Sequence, residues 1–305
     1  MADWDDLRVF LAVARGESLS RAGRVLKLDP ATVGRRVARL EEALGVRLFA
    51  KSPQGYALSD EGARLLNHAQ SMESTMETAR DAVAGASAGI TGQIRIGAPD
   101  GCANYLLPQV VAAICAGNPG LEVQIVALPR VFSLTRREAD MVVAVSKPES
   151  GRVIVQKITD YRLHLAAAAP YLSSAPVLEG LADLPTHRLI GYIPDMIFDR
   201  ELDYLGDLGV DAPPLASNSV SVQLNLIRQG AGLGVVHDFA LPFAPGVRRV
   251  LTAEYSLTRA FHLIRHADDR RVPRLERFAR ALVAGLRREV ARLERAVDAA
   301  TDVAG

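Results

Sequence analysis

Apolar residues in the first sixty positions recur every three or four residues, with short polar breaks between the runs. This period predicts three short helices. The apolar positions of the first are Trp4, Leu7, Phe10, Leu11 and Ala14. Ser20 is the predicted N-cap of the second. One face of that second helix carries Ala22, Val25 and Leu26.

The third helix has the clearest boundaries. Asp29 is a favourable N-cap, Pro30 needs no hydrogen-bond donor at the first helical position, and Gly45 is a natural end. Its apolar stripe is Val33, Val37, Leu40 and Leu44. The sequence VRLFAKSPQGYALS (46–59) then predicts two short strands around a Ser-Pro-Gln-Gly turn.

From Ser59 the pattern becomes that of one long helix, with the acidic Asp60 and Glu61 at its positive end. Its apolar residues are spaced alternately by four and three, which is typical of a seam between two paired helices. The seam positions are Leu65, Ala69, Met72, Met76, Ala79 and Val83. The glycine-rich GASAGITG (85–92) predicts a linker.

Beyond the linker, strand patterns alternate with helical ones, which indicates an α/β domain with a mainly parallel sheet covered by helices. The predicted strands are 93–98, 122–128, 140–145, 162–167, 188–192, 233–236 and 260–265. The predicted helices are 106–115, 133–138, 220–228 and one from Pro273 towards Asp298.

Composition narrows the class of protein. The length of 305 residues favours two domains, and 49% hydrophobic with 23% charged residues is ordinary for globular proteins. No apolar run approaches the roughly 18 residues of a membrane span, and MADWDDLRVF lacks the features of a signal peptide. We therefore expect a cytoplasmic protein without a membrane partner. Cys102, Cys115 and six scattered histidines have no metal-ligand spacing, so we expect no metal and no cofactor.

The outer face of the third helix is basic although the chain's formal charge is only +1. Arg35 and Arg39 lie opposite the apolar stripe and Arg36 lies on its flank. Between Arg15 and Lys51, nine basic and four acidic residues give a net charge of +5. Such a face is either merely solvated or binds nucleic-acid phosphates. The capped pair of helices, the strand-turn-strand and the adjacent seam favour a DNA-binding helix-turn-helix.

The order DLRVFLAVARGESLSRAGRVL, ATVGRRVARLEEALGVRLFAKS, LSDEG resembles the LysR-type transcriptional regulators, and the resemblance covers the whole chain. Its specific patterns are Leu-Glu-x-x-Leu-Gly-x-x-Leu-Phe (40–49) and Leu-Ser-x-x-Gly (58–62). It implies an N-terminal winged helix-turn-helix (1–60), a linker helix for dimerisation (61–90) and a two-lobed periplasmic-binding-protein-like effector domain (91–305). Lobe one would span about 91–160 and 267–305, and lobe two about 161–266.

The resemblance also implies the DNA contacts. The family's recognition helix usually opens Gln-Pro-Ala/Ser-Val-Ser-Arg, and this chain departs from it with Pro30 and Gly34 in place of two polar residues. Base contacts are therefore expected to shift to Thr32, Arg35 and Arg36. The implied DNA-binding residues are Ser20, Arg21, Pro30, Ala31, Thr32, Gly34, Arg35, Arg36, Arg39 and Lys51, the last replacing an arginine usual in the wing.

Ligands of open parallel sheets bind beyond the carboxyl ends of strands, which the resemblance places between the two lobes. The expected effector contacts are Pro99, Asp100, Gly101, Cys102, Leu128, Arg130, Ser146, Tyr192, Ile193, Asn218, Ser219 and His237, with Asn104, Pro129 and Lys147 in the same loops. Asp100 stands where the family often has Ser or Thr beside an anionic effector. It either caps the following helix or contacts a donor group of the effector. His237 is either structural or a ligand contact.

Other functions carry weaker signals. The glycines of GAGLG (230–234) lie between a helix and a strand, the reverse of a dinucleotide fingerprint, and no nucleophile elbow occurs. We expect a regulator rather than an enzyme, with double-stranded operator DNA, a small effector and its own copies as partners in dimers or the tetramers common in the family. The alternatives are an enzyme with an added DNA-binding arm and an effector-free architectural protein. Redox sensing through Cys102 and Cys115 is a further hypothesis.

Overall fold

The computed structural model describes residues 3–52, 55–84, 89–127, 139–148, 151–267, 269 and 272–302. The chain divides into two compact units, 1–86 and 87–305, which are described separately. No helix among these residues combines the length and the apolar character that crossing a bilayer requires.

The first unit consists of four helices and a hairpin: α1 (Trp4–Gly16), α2 (Leu19–Leu26), α3 (Pro30–Leu44), β1 (Phe49–Ser52), β2 (Gly55–Leu58) and α4 (Asp60–Ala84). The expected limits of α3 are confirmed, because the Asp29 carboxylate accepts a hydrogen bond from the Ala31 N–H at 2.8 Å and Gly45 ends the helix with φ +68°. Its stripe is confirmed at Val33, Val37 and Leu40, which are buried. Leu44 at the last position is 40% exposed.

Two expectations for α2 were wrong. Its N-cap is Ser18, whose side chain accepts from the Arg21 N–H, whereas Ser20 lies inside the helix. Val25 is 78% exposed instead of facing the core. The buried positions of this eight-residue helix are Ala22 and Gly23, and the helix begins at Leu19, two residues before the start that a cap at Ser20 implies.

Glu41 explains one of the sequence patterns. Its buried carboxylate accepts hydrogen bonds from the N–H groups of Leu48 at 2.8 Å and Phe49 at 3.3 Å, and it pairs with Arg47 at 2.9 Å. A polar acceptor of this kind satisfies backbone donors that would otherwise be buried without partners. The Leu-Glu pair in Leu-Glu-x-x-Leu-Gly-x-x-Leu-Phe thus joins the end of α3 to the start of the wing.

The second unit is built on one mixed sheet of nine described strands. Its strands are β3 (Gly92–Ala98), β4 (Leu121–Ala127), β5 (Met141–Ala144), β6 (Val153–Ala168), β7 (Leu189–Gly191), β8 (Leu215–Ala216), β9 (Leu233–His237), β10 (Val247–Arg249) and β11 (Ser256–His266). Its helices are α5 (Asp100–Tyr105), α6 (Leu107–Ala116), α7 (Ala169–Ser174), α8 (Val220–Arg228) and α9 (Pro273–Asp302).

The strand order is β4-β3-β5-β11-β6-β9-β7-β8, with β10 pairing β6. Strands β3, β4 and β5 pair in parallel, as do β7, β8 and β9, and the long antiparallel pair β6–β11 joins these two groups. We call the first group with α5 and α6 lobe one, and the second with α7, α8 and β10 lobe two. The expectation of a mainly parallel sheet was therefore wrong for the central strands.

The long strand β6 shows why. It begins at Val153, nine residues before the predicted start. Its first half contains the exposed Gln156, Lys157 and Asp160, so hydrophobic periodicity gave no strand signal there. This part of β6 is a strand because it pairs with β11. The predicted boundary between the lobes, at 160/161, therefore falls inside β6. The predicted helix 133–138 lies outside the described residues.

The terminal helix α9 packs against the second unit, on α6 and beside β6. Phe278, Leu282 and Leu286 are fully buried, and a Cβ atom on Gly285 would lie 2.4 Å from Val110 Cγ1, so α9 packs very closely on α6. Arg162 of β6 binds Glu294 at 3.1 Å and Asp298 at 2.8 Å on α9. Helix α9 thus contacts both the strand β6, through ion pairs, and lobe one, through its packing on α6.

Candidate functional site

The three arginines of α3 have different environments. Arg35 is exposed, and one of its Nη atoms donates to Thr32 Oγ1 at 3.0 Å. No carboxylate among the described residues forms a salt bridge with it. Arg36 is half-buried, 3.6 Å from the Asp5 carboxylate. Arg35 is therefore the arginine of this helix whose charge is most available to an external anion.

Arg39 forms an ion pair within the first unit. Its guanidinium makes a two-pronged ion pair with Asp6 of α1, with Nε donating at 2.6 Å, and Asp6 is only 2% exposed. These hydrogen bonds raise the pKa of Arg39. The pair fixes α1 to α3, a role that the pattern of basic residues did not indicate.

The remaining predicted DNA contacts lie around α3. Ser20 and Arg21 are exposed on α2, and Pro30 and Ala31 are exposed at the start of α3. A Cβ atom on Gly34 would lie 3.3 Å from Leu19 Cδ1, so the glycine permits close packing of α2 on α3. Lys51 pairs with Tyr56 in the hairpin, and its side chain lies outside the described residues.

The seam on α4 changes character along its length. Leu65 is half-buried and Ala69 is fully buried within the first unit, so this end of the seam belongs to the unit's own core. Met72 and Met76 are each 47% exposed and Ala79 is exposed. The side chain of Val83 lies outside the described residues. The apolar surface that α4 leaves uncovered therefore begins at Met72.

In the second unit, residues of both lobes and of β6 and β11 surround a cavity with about 210 Å³ of atom-free space that opens to solvent. Five of the predicted effector contacts line it: Pro99, Gly101, Cys102, Tyr192 and His237. Six residues that sequence reasoning missed complete the wall: Val145, Tyr161, Leu202, Tyr204, Val220 and Phe261. We call this space the interlobe cavity.

Tyr161 and Phe261 were missed because they lie within strands, whereas the prediction searched only the loops after strands. They belong to β6 and β11, and their rings stack with centroids 4.2 Å apart. The only available signal was the presence of aromatic residues in the two strands, which does not distinguish a cavity wall from ordinary core.

Asp100 does not cap the helix that follows it. The N-cap of α5 is Pro99, which provides no side-chain cap. Asp100 Oδ2 instead accepts hydrogen bonds from Ser221 N–H at 2.9 Å, Ser221 Oγ at 2.8 Å and Ser219 Oγ at 3.0 Å. Asn104 donates to Oδ1 at 3.1 Å. The carboxylate of lobe one thus caps α8 of lobe two.

A second hydrogen-bonded contact joins the lobes, since Ser146 Oγ donates to the carboxylate of Asp199, a residue that was not predicted. Ile193 and Asn218 are half-buried and do not line the interlobe cavity, and Lys147 is exposed. The predicted contacts Leu128 and Arg130, with Pro129, lie outside the described residues.

The titratable groups of the interlobe cavity are neutral near pH 7. Burial lowers the pKa of His237 to about 4, and its Nε2 lies 3.3 Å from the Tyr204 hydroxyl. Burial raises the pKa of the Cys102 thiol, the opposite of what a reactive thiolate requires, so nothing here favours the redox hypothesis. Cys115 is half-buried on α6.

A second open depression lies within lobe two, between β7 and the 3₁₀ turns that follow it, and its atom-free space of about 340 Å³ includes open solvent. It shares Tyr192, Leu202 and Tyr204 with the interlobe cavity, so these three side chains form the wall between the two spaces. No sequence pattern predicted this depression, because residues 194–213 form only short 3₁₀ turns without periodic hydrophobicity.

The glycines of GAGLG have structural explanations, which confirms the prediction of a helix end leading into a strand. Gly230 follows α8 with φ +73°. A Cβ atom on Gly232 would lie 2.2 Å from the Arg188 carbonyl oxygen, and one on Gly234 would lie 2.5 Å from that of Ile190. These residues allow β9 to lie against β7. The described residues contain no cluster of side chains suited to a metal ion.

Comparisons with known proteins fit this architecture. Residues 4–63 match the family model "Bacterial regulatory helix-turn-helix protein, lysR family", and residues 87–287 match "LysR substrate binding domain". The HTH-type transcriptional regulator PtxR of Pseudomonas aeruginosa is 26% identical over 238 residues, 76% of each chain. CrgA of Neisseria meningitidis serogroup C is 24% identical over 270 residues, 87% of this chain and 90% of CrgA. The solved structure of full-length OxyR C199D from Pseudomonas aeruginosa superposes with a TM-score of 0.72 at 19% identity, covering 94% of this chain and 98% of OxyR, which shows the shared fold.

Proposed function

The chain belongs to the LysR family of bacterial transcriptional regulators, and we propose that it reads its operator with the outer face of α3 while a small molecule in the interlobe cavity sets its activity. Family membership supports a regulator over the two alternatives, which were an enzyme with an added DNA-binding arm and an effector-free architectural protein. The observation that carries the proposal is the exposed, unpaired charge of Arg35 on a capped helix next to a wing.

On DNA, the first turns of α3 would enter the major groove. Thr32, Arg35 and Arg36 would then face base edges. Contacts to the sugar-phosphate backbone would come from the surrounding residues: Ser20, Arg21, Pro30, Ala31, Gly34, Arg39 and Lys51. Because phosphate contacts release counterions, affinity should fall steeply with salt concentration. Since operator DNA lies in the bacterial cytoplasm, we place the protein there.

Footprinting of the wild-type protein on fragments of its own genome tests this function. We expect protected inverted half-sites whose centres are separated by one helical turn, about 10.5 base pairs, or a multiple of it, because paired reader heads are related by a two-fold axis. Protection should weaken as salt is raised from about 50 to 200 mM. If no fragment is protected at low ionic strength, the proposal is wrong.

We further propose that the apolar residues of α4 pair two copies of the chain, as the family's oligomers require. The exposed part of the seam, Met72, Met76 and Ala79, provides the surface, and Leu65, Ala69 and Val83 extend its line. Association of two such dimers would give the tetramers common in the family. Pairing through small and flexible side chains should be of modest strength.

The double variant Met72→Glu/Met76→Glu is expected to shift the protein towards monomer, because like charges would face each other across a seam that is apolar in the wild type. Analytical ultracentrifugation at several concentrations measures the shift. Ala63→Glu is the matched control, since Ala63 is exposed on the opposite side of α4. An unchanged mass distribution for the double variant would show that these residues of α4 do not form the dimer interface.

A further inference from the structure

One outward sector of α9, between residues 280 and 295, consists of arginines and alanines. At 100° per residue, six positions fall within a sector of about 100° that points away from the buried Leu282, Leu286 and Leu293. We call these residues the arginine face: Arg280, Ala281, Ala284, Arg288, Ala291 and Arg295. The arginines are exposed and the alanines are half-buried. At 1.5 Å per residue the face is about 22 Å long.

The charges of the arginine face have no counterion on α9. The two carboxylates of α9 between residues 280 and 295 are already bound, Glu289 by Arg292 at 2.7 Å and Glu294 by Arg162 at 3.1 Å. The three arginines of the face form no ion pair with any other residue that the structure describes. Because a guanidinium stays charged at any ordinary pH, this face presents three uncompensated positive charges to solvent.

Residues 195–211 of lobe two, which we call the acidic segment, have the opposite charge. Six acidic residues and one basic residue give the segment a net charge of −5. Two of its carboxylates have partners, since Asp199 accepts from Ser146 and Glu201 binds Arg259 at 2.8 Å. The other four are exposed and form no ion pair within the described part of the chain: Asp195, Asp203, Asp207 and Asp211.

Large apolar side chains lie among these carboxylates. Met196 is 47% exposed and Phe198 is 37% exposed. Protein–protein interfaces combine an apolar centre with a polar rim, and methionine and aromatic residues are enriched in them. The small alanines of the arginine face leave room for two such side chains between the charges. Binding of the arginine face to nucleic acid would instead leave Met196 and Phe198 uncovered.

We propose that the arginine face of one copy of the chain binds the acidic segment of a second copy. Within one copy, no ion pair between described residues joins the two surfaces, so both are free for this contact. Complementary charge favours the pairing and fixes its partner. Because a single exposed ion pair contributes little, the contact depends on several charges acting together and on the burial of Met196 and Phe198. It rests on the proposed function, since it would join two dimers formed through α4.

Analytical ultracentrifugation of the full-length protein tests the contact through its salt dependence. The wild type is expected to form tetramers in about 0.1 M salt and dimers in about 1 M salt, because the Debye length falls from about 10 to about 3 Å. A wild type that remains a dimer at low salt, or a tetramer that salt does not weaken, would overturn the proposal.

Charge reversal tests each surface separately. Arg288→Glu/Arg295→Glu is expected to raise the dissociation constant of tetramer into dimers by about tenfold or more, since two negative surfaces then face each other. Asp207→Lys/Asp211→Lys should have the same effect, because it makes both surfaces positive. All four residues are exposed, so the melting temperature of either variant should stay close to that of the wild type. An unchanged tetramer in either variant would show that the reversed surface is not part of the contact.

A mixture of the two charge-reversed proteins tests whether the surfaces bind each other. Each protein alone should remain a dimer, whereas the mixture should recover tetramers, because the new glutamates of one protein then meet the new lysines of the other. Arg188→Glu/Arg248→Glu is the control, since it makes the same charge change as the arginine-face variant at exposed positions of the second unit and should assemble as the wild type. Failure of the mixture to form tetramers would overturn the pairing.

Gel-shift titration with operator DNA separates this contact from the proposed function. A wild type that binds no operator refutes the proposed function. A wild type that binds its operator but never exceeds a dimer refutes only the contact between the arginine face and the acidic segment. If Arg288→Glu/Arg295→Glu weakens DNA binding without changing the mass of the assembly, the arginine face binds nucleic acid and the proposed contact is wrong.

Discussion

Arg35→Ala is expected to lower operator affinity by at least fivefold while leaving the first unit folded. Arg35 is exposed, and its described contact within the unit is a hydrogen bond to Thr32, so little stability depends on it. An arginine bound to a base edge contributes about 1–3 kcal/mol of discrimination, which corresponds to roughly five- to 150-fold in affinity. If Arg35 contacts a phosphate instead, all sequences should be weakened and the salt dependence should fall by about one charge.

Gel-shift titration at several salt concentrations measures this loss, and circular dichroism checks the fold. Arg8→Ala is the matched control, because Arg8 is an exposed arginine on α1 and its removal makes the same change of net charge. Arg39 would be a poor control, since its removal leaves the buried Asp6 without its partner. Affinity of Arg35→Ala within twofold of the wild type would contradict the assignment of α3 as the reading helix.

The parts of the fold that could be predicted from the sequence depend on short-range signals. Asp29, Pro30 and Gly45 act within one helical turn, so the limits of α3 follow directly from residue type. The same holds for the start of α4 at Asp60 and for the hairpin around residues 53–54. The choice between Ser18 and Ser20 was harder, because both can cap a helix. It depends on where α1 ends, at Gly16, which leaves Ser18 extended with φ −158°.

The interlobe cavity depends on long-range pairing that no local pattern contains. Tyr161 and Phe261 come together because β6 and β11 pair across about one hundred residues, with a register shift between Phe261 and His262. Asp100 meets Ser219 and Ser221 across 119 and 121 residues. The sequence could place Asp100 and Ser219 at strand-end loops, and it could not show that they bind each other instead of a ligand.

Gly62→Ala is expected to destabilise the first unit by about 2 kcal/mol or more, which would lower its melting temperature by about 10 °C for a unit of this size. A Cβ atom at Gly62 would lie 2.1 Å from the Leu48 carbonyl oxygen and 3.0 Å from Leu58 Cδ2. The first is a backbone atom, so α4 must move away from the hairpin. That movement would also strain the Ser59 hydroxyl, which accepts from the Gly62 N–H at 2.9 Å and donates to the Arg47 carbonyl at 2.7 Å.

One opposing effect makes this a sharp test. Alanine is favoured over glycine inside a helix by about 1 kcal/mol, so propensity alone predicts that Gly62→Ala stabilises the protein. Gly34→Ala makes the same change inside α3, where a Cβ atom would meet only the flexible tip of Leu19 at 3.3 Å. Thermal melts of the full chain should therefore separate the two variants, with Gly62→Ala clearly below Gly34→Ala. Similar melting temperatures would show that α4 does not depend on this close approach, and that Leu-Ser-x-x-Gly requires its glycine for another reason.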